Sequence, residues 1–233
     1  MFLIYYINNK MSSEIISIVS IDIGLKTFSM YKEHFDYSKA KVVKKPNKYY
    51  QKNGEATQEF DDYVIEVSKC GSTKFIEKTE FGDRKDFFSG KAFINIIDYF
   101  DNLHFNQKIF DDVDVIIMEK QLGRNPMATV LMHHVYSWFL NQFRTFKKII
   151  LYPAKNKTRV LGAPLSELND EGKRIKMDKS FRKKWSTEKA RQILIERNEE
   201  MTYRYIFEEN KSKKDDLSDT ITQCLSYHLK KII

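Results

Sequence analysis

One short stretch limits what this chain can become more than any other. In IISIVSIDIGLKTFSMY, residues 15–31, the run Ile15, Ile16, Ile18, Val19 and Ile21 is β-branched and dense enough for a strand buried on both faces. It stops on a single acid, Asp22, and Gly24 follows, where the missing Cβ lets the backbone turn sharply or approach a ligand. An isolated Asp-x-Gly is most simply a turn. Two later segments change that reading.

The first is Val113, Val115, Ile116, Ile117 and Met118, a second apolar run that again ends on one acid, Glu119. A third run, Lys148–Tyr152, is stopped by Pro153. Between them, Phe93, Ile96, Ile97, Phe100 and Leu103 recur at helical spacing after Ser89, and Asn125-Pro126 is a cap and first-turn pair for a long helix over 126–143. On that helix Met127, Leu131, Val135, Trp138 and Phe139 suit either the core or a dimer surface, and His133 and His134 read as core or interface histidines. TFSMY, 27–31, predicts a second strand, 32–62 an exposed polar excursion, and Tyr63–Val67 with Lys74–Phe81 further strands of a small antiparallel meander. Residues 153–186 are basic and irregular, the next helix opens at Ser186, and the last runs from Asp215 to Lys231. The pattern predicts an α/β protein with a mixed central sheet of about five strands flanked by helices.

Charge now becomes informative. Lys and Arg outnumber Asp and Glu by 40 to 32, giving +8, which points to an anionic partner, nucleic acid first. With 42% hydrophobic residues in 233, a single folded domain over 14–233 is expected, with residues 1–13 a disordered N-terminal extension. Cys70 and Cys224 are too few for a disulfide framework or a zinc site and fit a reducing compartment. Neither a signal peptide nor a membrane span is discernible, so an intracellular, soluble protein is expected.

The last helix, DDLSDTITQCLSYHLKK, places Leu217, Ile221, Cys224 and Leu225 on one face and Asp216, Asp219, Thr220, Gln223 and Tyr227 on another. Asp216 and Asp219 are i,i+3 neighbours, which costs a helix a few tenths of a kcal/mol, roughly, unless a cation compensates. Asp215 fits a capping role better, as the fourth residue of Ser212-x-x-Asp215, although a ligand role stays open. The constellation is therefore Asp22 and Glu119 at the ends of buried strands with Asp216 and Asp219 on one helix face. Hard oxygen donors of this kind suit Mg²⁺ or Mn²⁺, and a pair of such ions about 3.5–4 Å apart supports phosphodiester cleavage. That predicts a nuclease.

The ordered set SIDIGLKT, IIMEKQ and KKDDLSD resembles the ribonuclease H-like, retroviral-integrase superfamily and, within it, the RuvC-type Holliday junction resolvases of the poxvirus branch, which are similar to fungal mitochondrial resolvases. PAKNKTRVLG and the later STEKARQIL resemble the family's lysine-bearing strand-to-helix segment, split here by an insertion near 163–185. The resemblance implies a ribonuclease H-like fold and catalytic metal ligation by Asp22, Glu119, Asp216 and Asp219, with two Mg²⁺ (or Mn²⁺) ions per site. It implies DNA contacts from Lys157 and Lys189, and weaker ones from Lys26, Gln121, Arg124 and Asn125. It further implies a homodimer that resolves four-way DNA junctions by paired symmetric nicks and, in a virus, processes concatemeric genomes at a cytoplasmic replication site.

Two other enzyme readings fall short. Asp22-Ile23-Gly24 also resembles the first phosphate loop of actin-like kinases, yet with 8 glycines the chain has no further glycine-rich phosphate loops. A proofreading exonuclease would need an acid where Gly24 stands. A non-catalytic branched-DNA-binding protein on the same scaffold is the remaining alternative, and the intact acidic set speaks against it.

Overall fold

The protein is described here by a computed structural model covering residues 14–121, 123, 125–168 and 173–233. The expected extension 1–13 and part of the expected insertion, 169–172, lie outside these residues. The central sheet has five strands, β1 (Ile15–Asp22), β2 (Phe28–Asp36), β3 (Gly71–Thr79), β4 (Val115–Lys120) and β5 (Lys148–Pro153), in the order β3-β2-β1-β4-β5. β1, β2 and β3 form the antiparallel meander, whereas β4 and β5 run parallel to β1 and its neighbour. The sheet is therefore mixed.

Its two faces are set by the twofold alternation of side chains along a strand. On one face Ile18, Val115, Ile117 and Tyr152 meet α2 (Gln58–Ser68), α7 (Lys179–Glu196) and the final helix α9 (Lys214–Ile232). On the other, Val19, Ile21, Ile116 and Met118 meet α4 (Lys91–Asp101) and α5 (Pro126–Phe143), next to the short α3 (Arg84–Ser89). Each fully buried side chain of this size contributes about 1.5–3 kcal/mol. The same alternation puts Ser20 and Asp22 of β1, and Glu119 of β4, on the α9 face.

Most elements stand where their sequence patterns put them, and four differences have physical causes. Residues 63–67 belong to helix α2: Thr57 accepts from the Phe60 N–H at 3.2 Å, and Phe60, Val64 and Val67 form a helical stripe that a five-residue window misses. The excursion after β2 begins later than expected, because the strand runs to Asp36, whose carboxylate caps α1 (Tyr37–Val42) through the Ser38 and Lys39 N–H groups. Helix α7 starts at Lys179, capped by Asp178 at 2.7 Å from the Phe181 N–H, so FRKKW is helical and Ser186 is buried mid-helix. On α5, Leu131, Val135, Trp138 and Phe139 are buried with Phe100, Phe110 and Phe143; the Phe100 and Phe139 rings meet edge to face at 5.0 Å. Core packing accounts for these four side chains, which are not available as a dimer surface.

The other α-helices and strands are α6 (Asn156–Arg159), the hairpin β6 (Ser166–Leu168) and β7 (Arg174–Lys176), and α8 (Glu200–Arg204). Among the described residues no helix is long and apolar enough to cross a membrane.

Candidate active site

The parallel register pairs Ser20 with Ile117 and Ile21 with Met118, so the next pair along, Asp22 and Glu119, reaches the same sheet edge side by side. Helix α9 crosses this edge. Gln223 donates to Ser20 Oγ at 3.1 Å and to the Ile21 carbonyl at 3.2 Å, which fixes the helix axially against β1. One turn earlier on the same face, Asp219 joins Asp22 and Glu119. The polar face of α9 is thus not a solvent face: Asp219 is 7% exposed and Gln223 1%.

All three carboxylates converge on one ammonium group. Lys157, on α6 directly after β5, places Nζ 2.5 Å from Asp219 Oδ2, 2.9 Å from Glu119 Oε2 and 4.0 Å from Asp22 Oδ2. Burial, followed by the charges of Glu119 and Asp219, pushes the Asp22 carboxyl well above its usual range. Burial acts the same way on Glu119, but the Lys157 ammonium and the hydrogen bond with Asp22 outweigh it and hold Glu119 low. Burial works against the charge on Lys157, and the three carboxylates more than offset it, keeping the ammonium protonated. Three carboxylates from three separate elements, gathered around a single positive charge, form a cation centre.

Asp216 stands apart from that centre. It lies 3.7 Å from Lys183 Nζ of α7, and the same ammonium pairs with Asp215. Burial, then the neighbouring Asp215 charge, raises Asp216. The expected Ser212–Asp215 capping box does not form: α9 has no side-chain cap, and the Asp215 carboxylate is committed to Lys183.

The other candidate residues are dispersed. Lys189 is 6% exposed and tied to Asp61 at 2.6 Å and Gln192 at 3.0 Å, between α7 and α2. Lys26 is exposed on the turn after β1. The Gln121 N–H meets Met132 Sδ at 3.2 Å, and Asn125 caps α5 through the Ala128 N–H at 3.3 Å. Arg124 lies outside the described residues. Lys183 and Ser20 are additions that the sequence pattern did not single out; Gln223 carried a signal, sharing the face of Asp219 one turn on.

The donor set fits a hard divalent cation. The ligand atoms are carboxylate oxygens, the Lys157 ammonium marks the position where positive charge is stabilised, and Gln223 Oε1 is a buried acceptor without a hydrogen-bond partner among the described residues. A second group with potential ligand atoms, Glu33, Cys224 and His228, does not. Its carboxylate is already met by Arg197 at 2.8 Å, and the Phe35 ring stacks 3.8 Å from His228, sealing the group in the core.

No family model matches the chain. Two viral proteins do: protein 170L of Invertebrate iridescent virus 6 is 32% identical over 123 residues, 48% of this chain and 49% of that protein. Protein 97L of Invertebrate iridescent virus 3 is 27% identical over 128 residues, 55% of this chain and 54% of that protein. The chain thus spans about half the length of the curated relatives it matches. Among solved structures, the Fowlpox virus resolvase in complex with its substrate Holliday junction DNA is similar with a TM-score of 0.53 at 16% identity, over 94% of this chain and 99% of that one. With its mixed five-stranded sheet and flanking helices, the chain shares the fold of the Fowlpox virus resolvase.

Proposed function

We propose that the protein is a metal-dependent, structure-specific DNA endonuclease that resolves four-way junctions by paired nicks, acting as a homodimer. The observation that carries this reading is the convergence of Asp22, Glu119 and Asp219 on one cation position at the edge of a resolvase-type sheet. The net charge of +8 supports a polyanionic substrate, and the two iridescent-virus relatives support a viral setting, in which the substrate would be replicated genomes.

Asp22, Glu119 and Asp219 would hold the divalent cation, with Asp216 one turn away to complete a site for a second. Held by these carboxylates, such a cation would supply Lewis-acid polarisation of the phosphodiester, a more acidic water and charge stabilisation at the leaving oxygen. The chain's own residues do the rest. β1, β4 and α9 hold the three carboxylates rigidly, so little reorganisation is needed when substrate arrives. Gln223 keeps α9 in register with β1. Lys157, released from the carboxylates, is placed to meet the non-bridging oxygens of the phosphate, which develop charge during cleavage.

The test is cleavage of a labelled immobile four-way junction with and without Mg²⁺, beside a linear duplex of the same sequence and an Asp219→Asn control. Paired symmetric nicks requiring both metal and Asp219, absent on the duplex, are expected. Tight junction binding without cleavage in Mg²⁺ or Mn²⁺ would assign the protein to the non-catalytic reading.

A further inference from the structure

Residues 43–57 join α1 to α2 through a polar, lysine-rich segment whose composition reads as a solvated loop. The structure clamps it instead. The Gln51 N–H donates to the Glu55 carbonyl at 2.7 Å, and Tyr50 bridges to Ala56. The Ala56 N–H donates to the Gly162 carbonyl at 2.9 Å, and the Leu165 N–H to the Asn53 carbonyl at 3.0 Å. Two glycines permit the contact. At Gly54, φ is +83° and a Cβ would stand 2.7 Å from Leu165 Cγ; at Gly162, φ is +87° and a Cβ would stand 2.4 Å from Ala56 Cβ. The segment lies flush on residues 160–165.

Between this segment and α6 runs an open groove of about 490 Å³, lined by Tyr50, Lys52, Lys155, Asn156, Arg159 and Leu165 among others. Lys52, Lys155 and Arg159 are exposed, and none pairs with a carboxylate among the described residues. The Tyr50 hydroxyl donates to the Val160 carbonyl at 3.0 Å, and its ring, 37% exposed, meets Phe60 edge to face at 5.0 Å and lines the groove. Helix α6 is only four residues long. Lys157 turns into the carboxylate centre, while Lys155 and Arg159 on either side of it line the groove. Two residues correspond to about 200° around the helix, so the groove borders α6 on the face turned away from the carboxylate centre.

We propose that this groove, one helix face away from the carboxylate centre, holds the sugar-phosphate backbone of a nucleic acid strand, with Lys52, Lys155 and Arg159 on phosphates and Tyr50 against a base. The proposal deepens the nuclease reading and rests on it. Three unpaired cations beside one aromatic ring match a phosphate track with a stacking platform. An acidic peptide has a use for the cations but brings no base to stack on the ring.

The test is fluorescence anisotropy with a labelled four-way junction, without divalent metal, over a series of salt concentrations. The triple variant Lys52→Ala, Lys155→Ala, Arg159→Ala removes exposed, unpaired side chains, so its thermal melt should match that of the wild type. Its junction affinity is expected to fall by about 10-fold or more, and the slope of log K against log salt to flatten by roughly 2–3, since each lost phosphate contact contributes about 0.9. Tyr50→Leu is expected to lose roughly 5-fold or more in affinity with the slope unchanged. A triple variant that keeps both wild-type affinity and wild-type slope overturns the groove and leaves the nuclease reading standing. A wild-type protein that binds no branched DNA overturns both. Polyglutamate that displaces the junction as effectively as single-stranded DNA of equal charge would assign the groove to acidic peptides and overturn the proposal.

Discussion

Lys157 Nζ and Asp219 Oδ2 are 2.5 Å apart, with side chains 12% and 9% exposed, so the candidate active site carries its own counter-ion. The three carboxylates around that ammonium could not stay this close, this far from water, without compensating charge. Lys157→Met is therefore expected to cost about 3–5 kcal/mol of stability in metal-free solution. Mg²⁺ should raise the melting temperature of the variant more than that of the wild type, because the cation no longer has to displace the ammonium. Thermal melts with and without Mg²⁺ check this; equal shifts would mean that metal and ammonium do not share a position.

The acids should not be equivalent. Asp22→Asn, Glu119→Gln and Asp219→Asn are each expected to reduce junction nicking by at least about 10²-fold, the scale of losing one strong electrostatic stabiliser. Asp216→Asn should cost less, since Asp216 is held 3.7 Å from Lys183 and outside the centre defined by Lys157. Single-turnover cleavage rates rank them, and an Asp216 variant as inactive as the Asp219 variant would place both acids in one site.

Behind the site, Arg197 Nη1 lies 2.8 Å from Glu33 Oε2, with both side chains at most 2% exposed. Arg197 also donates to the Ser68 carbonyl and the Tyr31 hydroxyl. Arg197→Met strands the Glu33 charge in the core and is expected to cost about 3–5 kcal/mol, while adding Glu33→Gln should recover much of that loss. Urea denaturation of the two variants measures the difference.

Acid should unfold the protein early. Burial keeps His228 below its ordinary value of 6.5, with Glu33, Cys224, Tyr37, Arg197 and Lys231 around it, so the folded protein holds it neutral where an unfolded chain would take up a proton. Stability is then lost as pH falls below about 6.5. Burial would raise Glu33, yet Arg197, His228 and Tyr31 hold it well below its ordinary 4.5, so its contribution is complete above about 4.5 and is lost progressively as pH falls further toward the depressed folded value. The two effects have the same sign. Melting temperature is expected to be nearly flat above pH 7 and to fall steadily from 6.5 to 4, and His228→Gln should move the onset of that fall downward.

The parts of this architecture written in short-range periodicity could be read from the chain itself. Ile18, Val19 and Ile21 announce a strand buried on both faces, the alternation carries Asp22 and Glu119 to one side, and the 100° step of α9 brings Asp219 and Gln223 to one face. What could not be read are pairings between segments far apart in sequence. Nothing local distinguishes Lys183, which binds Asp215 and neighbours Asp216, from Lys189, which binds Asp61, because both sit on one helix in a run of like charges. The helical stripe of α2 was hidden for a related reason: Tyr63, Ile65 and Val67 alternate as a strand would, and only Phe60 and Val64, in a longer window, reveal the turn.

The convergence of β1, β4 and α9 also dictates when the site can exist. Its three carboxylates come from segments widely separated along the chain, and long-range contacts of this kind are the last to be made as a protein folds. A nascent polypeptide that has emerged from the ribosome as far as β5 carries Asp22 and Glu119, but until Lys214–Ile232 follows it has neither Asp219 nor the helix that buries the pair. A chain in that condition cannot assemble the cation centre. Under the proposed nuclease reading, cleavage would be confined to molecules whose synthesis has passed α9.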